Sequence, residues 1–394
     1  MYFLYITYGL ALCGMLVGGM VEQRRHEASL RSIPIRIMVN GIRGKSSVTR
    51  LVAGALRGGD VATVAKTTGS AARLISVDGH EVAVFRKFDL ANVAEQIPVV
   101  RRAASEHPEA LVIECMAVEP ALQEVSQRKL IQSTVGVITN VREDHLAEMG
   151  PSLEEVARSL SLTMPADGVC VTAETALGWV LQDEAAKRRC RLVVADPEGV
   201  SDAEMDGFSS FTFKENVAIA LAVATEVGVS REAALAGMYA AAPDPGVLRV
   251  DRYTIGDRAM RFANIFAAND PMSTMMNVEH LIAEQQIQVP LTVLINCRPD
   301  RVERNRQMGQ LVGDLHAQTV VVVGHPSRSA IEMIPSSFTG TLIDMGGDGV
   351  DPDDVVRTLL SDEDRMDIDV IAIGNIHGMG DKILEYLDEL AVLR

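Results

Sequence analysis

Gly41, Gly44, Lys45 and Ser46 fall in one short stretch, directly after an apolar run at residues 35–39 and before a helical pattern at 47–57. The two glycines permit backbone angles that turn N–H groups inward toward an anion. A helix N-terminus behind them adds partial positive charge. Lys45 can reach the terminal phosphates of a nucleotide, and the Ser46 hydroxyl is an oxygen ligand for Mg²⁺. The spacing is GxxGKS, with Val39 standing where the longer GxxxxGK[ST] form has its first glycine. Asn40, Ile42, Arg43 and Ser47 complete the loop, and the whole predicts a nucleotide-phosphate site.

Other polar residues follow apolar runs in the same way. Glu114 closes a run at 110–113, and strand ends in parallel sheets line ligand crevices. With Ser46 it would hold one Mg²⁺ through oxygen; alone it would also suit a surface carboxylate. His145 by itself would be an ordinary structural histidine, but it is grouped with Asn140 and Asp144. Arg298, Asp300, Arg301 and Arg304 follow a run at 291–296. A forked guanidinium suits a carboxylate or a transferring phosphoryl group; a polar helix start is the plain alternative. Lys66, Thr67 and Thr68, with Gly69, Ser70 and Arg73, could grip the carboxylates of an acceptor. His377 lies in a glycine-flanked stretch, 374–378, and could close a cleft from a second domain. Asn269 and Asp270 before Pro271 fit either a helix cap or a site contact.

A phosphate loop with oxygen ligands for magnesium suits phosphoryl transfer from a nucleotide, which would serve an ATPase and a bond-forming ligase alike. Amide formation from a free carboxylate needs a leaving group, which ATP supplies by phosphorylating that carboxylate before an amine attacks. Phosphoryl transfer is mainly positioning and charge neutralisation. That would be the work of Lys45 and the loop N–H groups, with Glu114, Arg298 and Arg301 around them.

The elements that must position them are short apolar runs alternating with helical patterns. Residues 61–65, 82–85, 110–113, 135–139, 169–172 and 192–195 read as strands, and 47–57, 91–106, 153–163 and 216–227 as helices. Such alternation predicts an α/β fold with a mostly parallel sheet covered on both faces. Pro243 and Pro245 with Gly246 break the pattern. It resumes with strands at 291–296, 319–323 and 369–373 and helices at 272–285, 351–360 and 382–393, enough for a smaller second α/β domain.

Residues 1–21 carry no charge, and Arg24 and Arg25 come directly after them. About 20 apolar residues cross a hydrocarbon core, and basic residues on the C-terminal flank place the rest of the chain in the cytoplasm. The division expected is therefore a membrane anchor at 1–21, a stem at 22–33, an ATP-binding domain at 34–242 and a ligase domain at 243–394. A net charge of −16 argues against wholesale binding to nucleic acid or to anionic lipid, and an aromatic share of 4% against a stacking platform for single-stranded nucleic acid. Five scattered cysteines without CxxC spacing read as reduced buried thiols.

GxxGKS in this setting resembles the loop of the Mur-ligase and folylpolyglutamate-synthetase superfamily. Glu114-Cys115-Met116 resembles its strand-end magnesium ligand, residues 139–146 (TNVREDHL) its TN…DHL segment, and Glu215-Asn216-Val217-Ala218 the helix whose Asn contacts adenine. Within that superfamily the chain is similar throughout to the ligase subunit of poly-γ-glutamate synthase. The stretches that carry this are NGIRGKSSVTR (40–50), KTTGSAAR (66–73), ECMAV (114–118), EDHLAEMG (143–150), PDPG (243–246), FAANDPMS (266–273), NCRPDRVER (296–304) and GNIHG (374–378).

The resemblance implies a P-loop central domain, a Rossmann-like C-terminal domain, and ATP with Mg²⁺ or Mn²⁺. It implies glutamate and the growing γ-linked polymer as substrates, small membrane-protein subunits as partners and room for a homo-oligomer. It suggests that His145 holds or orients a second metal and that Asn269 joins Asn216 at the nucleotide. Two departures stand out. The short stem before the phosphate loop leaves no room for the UDP-sugar domain of cell-wall ligases. No lysine occurs between Leu146 and Lys187, where the superfamily often has a carbamylated one. Two other readings remain open: a soluble-type ligase acting on folate or a cyanophycin-like polymer, and an ATPase that energises export without forming a bond.

Overall fold

The computed structural model describes residues 2–68, 72–84, 92–208, 212–243, 248–266, 268, 270–347, 349–362 and 365–392. Two compact units divide the chain, Met1–Pro245 and Gly246–Arg394.

The first unit is built on eight strands: β1 (Ile35–Asn40), β2 (Thr63–Lys66), β3 (Arg73–Ile75), β4 (Glu81–Ala83), β5 (Ala110–Glu114), β6 (Val135–Ile138), β7 (Val169–Thr172) and β8 (Arg191–Val194). Their order is β4-β3-β2-β5-β1-β6-β7-β8. From β2 to β8 every pairing is parallel, and β3 and β4 add an antiparallel margin. Central strands are covered on both faces, so β5 is buried at all five residues and reads as continuous Ala-Leu-Val-Ile. Helix α2 (Lys45–Gly58) leaves the end of β1 and packs Val48, Val52 and Leu56 into the core beneath the sheet.

Helix α1 (Tyr2–Arg31) runs unbroken for 30 residues, about 45 Å at 1.5 Å per residue. Its apolar first part is exposed and is long and apolar enough to cross a membrane. Residues 22–31, read from the sequence as a stem, are the last turns of the same helix. They lie on the first unit beside α3 (Gln96–Ser105), with Leu30 and the following Ile33 buried in its core.

The second unit carries β9 (Arg249–Ile255), β10 (Arg258–Asn264), β11 (Leu291–Cys297), β12 (Ala317–Gly324), β13 (Thr341–Gly346) and β14 (Asp367–Gly374) in the order β13-β12-β11-β14-β10-β9. All pairings are parallel except the β9–β10 hairpin. Both units are thus α/β, as the alternation predicts. Of the sequence expectations, Phe85, Ala91, Gly69, Ser70, Asn269 and residues 244–246 lie outside the described residues.

Candidate active site

In the first sheet β2, β5, β1 and β6 are neighbours and all parallel, so their carboxyl ends emerge side by side. This is where open α/β sheets bind ligands. Sequence positions as far apart as Lys66, Asn40, Glu114 and Thr139 meet there for that reason.

The loop after β1 makes two turns that need glycine. Gly41 has φ +130°, and a Cβ there would stand 2.1 Å from the Thr139 hydroxyl; Gly44 has φ +75° and lies against the Asn216 side chain. The loop is held from behind by the segment after β6. The Asn140 side chain accepts from the Arg43 N–H (3.0 Å) and donates to the Arg43 carbonyl (3.2 Å), to which the Thr139 hydroxyl also donates at 2.6 Å. The Arg43 guanidinium pairs with Asp144 at 3.0 Å. Ile42 is buried among Val141, Met149 and Ile138. The TN…DHL residues therefore shape the phosphate loop.

Lys45 folds back over this loop, donating from Nζ to the carbonyls of Gly41 (2.8 Å) and Ile42 (3.1 Å). Desolvation lowers its pKa, partly offset by the charge of Glu114 and reinforced by that of Arg43. The Ser46 hydroxyl donates to Glu114 Oε2 at 2.8 Å, and the Thr68 N–H donates to the same oxygen at 2.6 Å. Ser47 is half-buried in the first turn of α2.

Other predicted residues are placed differently. The Asn40 side chain is buried below the loop, donating to Gln123 Oε1 (2.8 Å) and Thr163 Oγ1 (3.2 Å), and its carbonyl accepts from the Thr139 N–H at 2.9 Å. Lys66, expected to grip an acceptor, is 0% exposed and bonds Glu95 at 2.6 Å. In this arrangement its Nζ is engaged by a carboxylate inside the fold. Thr67 and Arg73 close their loop on one another, through Thr67 N–H to the Arg73 carbonyl at 2.9 Å and Arg73 N–H to Thr67 Oγ1 at 3.2 Å. His145, at φ +52°, lies 3.8 Å from Asp144 Oδ2 and 3.8 Å from Glu148 Oε2. Burial pushes the Cys115 thiol up to about 11, in keeping with an inert cysteine.

In the second unit β11 and β14 are adjacent, with Asn296 in register with Gly374, so NCRPDRVER and GNIHG meet at one sheet end. Three asparagines, Asn296, Asn305 and Asn375, are buried there. Asn296 Nδ2 donates to the carbonyls of Asn375 (2.5 Å) and His377 (3.0 Å). Asn375 Nδ2 donates to the Asn296 carbonyl (3.0 Å) and to Asn305 Oδ1 (3.2 Å), and Asn305 Nδ2 donates to the Arg298 carbonyl at 2.9 Å. Arg304 is tied in through Asn375 Oδ1 at 3.1 Å. Arg298 and Arg301 sit nearer the surface around Asp300, at 2.9 and 3.8 Å. His377 Nδ1 bonds Asp381 at 3.0 Å, and Asp270 caps the helix Pro271–Ala283.

Residues 39–240 match the family model of the Mur ligase middle domain, and residues 250–390 match that of the poly-gamma-glutamate synthase CapB C-terminal domain. The capsule biosynthesis protein CapB of Bacillus anthracis is 37% identical over 389 residues, 97% of this chain and 82% of that protein. The PGA synthase CapB of Bacillus subtilis (strain 168) is 34% identical over 394 residues, 97% of this chain and 98% of that protein. This chain belongs to the CapB family of poly-γ-glutamate synthases. It is an ATP-dependent amide ligase. Escherichia coli FolC in complex with DHPP and ADP has a similar fold, with TM-score 0.65 and 15% identity over 93% of this chain and 92% of that one. So does the Yersinia pestis folylpolyglutamate synthase/dihydrofolate synthase complexed with AMPPNP and Mn, at TM-score 0.63 and 14% identity over 93% and 92%.

For a CapB-family ligase the donor set at Ser46 and Glu114 fits a hard divalent cation. Among the described residues no group of three or more His, Cys, Asp or Glu could hold a metal ion. Mg²⁺ is usually held by one or two protein oxygens and completed by phosphate and water. Sequence reasoning missed Thr68 as a backbone donor to Glu114, and Asn305 and Asn375 as the frame of the second site. Asn375 sits in GNIHG and Asn305 directly follows NCRPDRVER, but only the pairing of β11 with β14 reveals that they touch.

Proposed function

We propose that this chain polymerises glutamate through γ-amide bonds, phosphorylating a γ-carboxyl group with ATP and releasing ADP and phosphate when an amine attacks. The observation that carries this reading is the Ser46–Glu114 oxygen pair beside Lys45 on a loop of phosphate-binding geometry, in a chain whose relatives are capsule and PGA synthase proteins.

Lys45 and the loop N–H groups neutralise charge on the nucleotide phosphates, and Lys45 is freed for this by exchanging two carbonyls for phosphate oxygens. A divalent cation held by Ser46 and Glu114 would supply further charge neutralisation. Asn216, packed against Gly44, borders the nucleotide from the helix Lys214–Val227. His145 orients charge near the loop through Asp144 and Arg43. Asn269, Arg73, Thr67 and Thr68 border nucleotide or acceptor. In the second unit Arg298, Arg301 and Arg304 supply guanidinium groups for a carboxylate or phosphoryl group, and His377 contributes to substrate binding. α1 crosses the cell membrane, with both units on the cytoplasmic side and small membrane-protein subunits as partners for export. The net charge of −16 discourages a polyanionic product from adhering.

The test is ATP turnover by the purified chain with and without glutamate, with identification of nucleotide and polymer. Glutamate-dependent ADP, phosphate and γ-linked product are expected. Hydrolysis that ignores glutamate and yields no polymer, even with membrane partners restored, would overturn the ligase reading of this site in favour of an export ATPase.

A further inference from the structure

The chain is strongly acidic, yet the surface where α1 meets the first unit is basic. Residues 22–31 of α1, residues 96–105 of α3 and residues 124–131 together hold seven Arg or Lys against three Glu. The three carboxylates are used by neighbours: Glu27 pairs with Arg31 at 3.2 Å, Glu124 with Arg128 at 2.8 Å, and Glu22 with Arg101. Arg24, Arg25, Arg102 and Lys129 remain, all exposed and, among the described residues, without an ion pair.

Their depth relative to a bilayer is set by how α1 is docked. The uncharged run ends at Val21, and Arg101 of α3 is tied to the very next residue, Glu22. Four residues on, about 6 Å along the axis, the buried His26 bonds the Leu130 carbonyl at 2.8 Å through Nε2, which brings the adjacent Lys129 backbone to that level. A headgroup layer is about 6 Å deep on each side of the hydrocarbon. A helix that is continuous and buried at Leu30 leaves the unit little freedom to swing away.

We propose that this collar binds the phosphates of anionic lipids in the cytoplasmic leaflet, and so holds the first unit against the bilayer in one orientation. The inference rests on the reading of α1 as a membrane span. Clusters of this size next to a span take anionic headgroups by charge, with a reach of about one Debye length. The chain as a whole is net acidic, which disfavours unspecific attraction to the same surface. Three separate segments converge on one level, so the collar belongs to the folded unit rather than to a basic tail.

The test uses the full chain in nanodiscs of phosphatidylcholine alone or with phosphatidylglycerol. Hydrogen exchange is read at residues 96–105 and 124–131, and carbonate extraction is run in parallel. Retention in carbonate with exchange at least about fivefold slower in phosphatidylglycerol, reversed by high salt, is expected. A variant carrying Arg24→Gln, Arg25→Gln, Arg102→Gln and Lys129→Gln should stay carbonate-resistant and lose the lipid dependence. Retention with equal exchange in both lipids, or a lipid dependence unchanged in the variant, would overturn the collar and leave the span standing. Release by carbonate would remove the span and the inference with it.

Discussion

The Ser46 hydroxyl donates to Glu114 Oε2 at 2.8 Å, joining the first turn of α2 to the carboxyl end of β5. Two hard oxygens at this spacing would start a divalent-cation site under the proposed function. Glu114→Gln should raise the Mg²⁺ concentration for half-maximal turnover about tenfold or more and lower kcat about a hundredfold. Ser46→Ala should shift the same titration while leaving the bond from Thr68 to Glu114 in place. Metal titrations identical to wild type in both variants would remove the ligand role.

Lys45→Ala should reduce kcat about a thousandfold, the scale of losing a preorganised charge at a phosphoryl group. It should not destabilise the free protein. Desolvation depresses the Lys45 pKa below 10.5, so protonation is disfavoured in the fold. The resulting cost is present in full below the folded pKa and vanishes as pH rises past 10.5. Denaturant melts of both proteins across that range should converge toward the alkaline end. A variant markedly less stable at neutral pH would contradict this account of the lysine.

Arg50 is nearly buried and meets Glu81 with both terminal guanidinium nitrogens, Nη2 to Oε2 at 2.9 Å. The hydrogen bond from Arg50 holds the Glu81 carboxyl below its usual 4.5. A depressed carboxylate stabilises the fold above 4.5 and loses that contribution as pH falls through the lowered value. Glu81→Gln should therefore cost about 3 kcal/mol near neutrality, because Arg50 stays buried without its partner. Urea midpoints of the two proteins should approach each other in acid, and a constant gap at every pH would refute the ion-pair explanation.

Asn375→Ala removes a side chain that joins Arg304, the Asn296 carbonyl and Asn305. Leaving those groups unpaired should cost about 2 kcal/mol. kcat should also fall more than about tenfold at temperatures where the variant is folded, since Arg304 loses its orientation. Arg298→Ala and Arg301→Ala lie nearer the surface and should change stability by less than about 0.5 kcal/mol. Reduced stability with an unchanged kcat for Asn375→Ala would make the asparagine frame purely architectural.

Much of the first sheet was legible because buried parallel strands are written as continuous apolar runs. The strand expected at 169–172 is observed at Val169–Thr172, and the helix expected at 47–57 at Lys45–Gly58. The hairpin of β9 and β10 was not legible. Its strands, Arg-Val-Asp-Arg-Tyr-Thr-Ile and Arg-Ala-Met-Arg-Phe-Ala-Asn, mix charged and apolar residues at the antiparallel margin of the sheet, where one side need not be apolar.

The sequence by itself determined the glycine-bearing loop after β1, the α/β alternation and the family, because each rests on local spacing or on collinear motifs. It also determined that the first 21 residues are uncharged. Only the tertiary structure decided the fate of individual polar side chains. Lys66 turned out to be held by Glu95, Asn40 by Gln123, and Asn375 by residues about 70 to 80 positions away. Only folding likewise showed that the charged segment after the apolar run continues α1 and is anchored through His26 and Leu30. The reason is physical. Backbone preference and hydrophobic period act over a few residues, whereas a buried polar group must find its partner wherever the sheet order brings one.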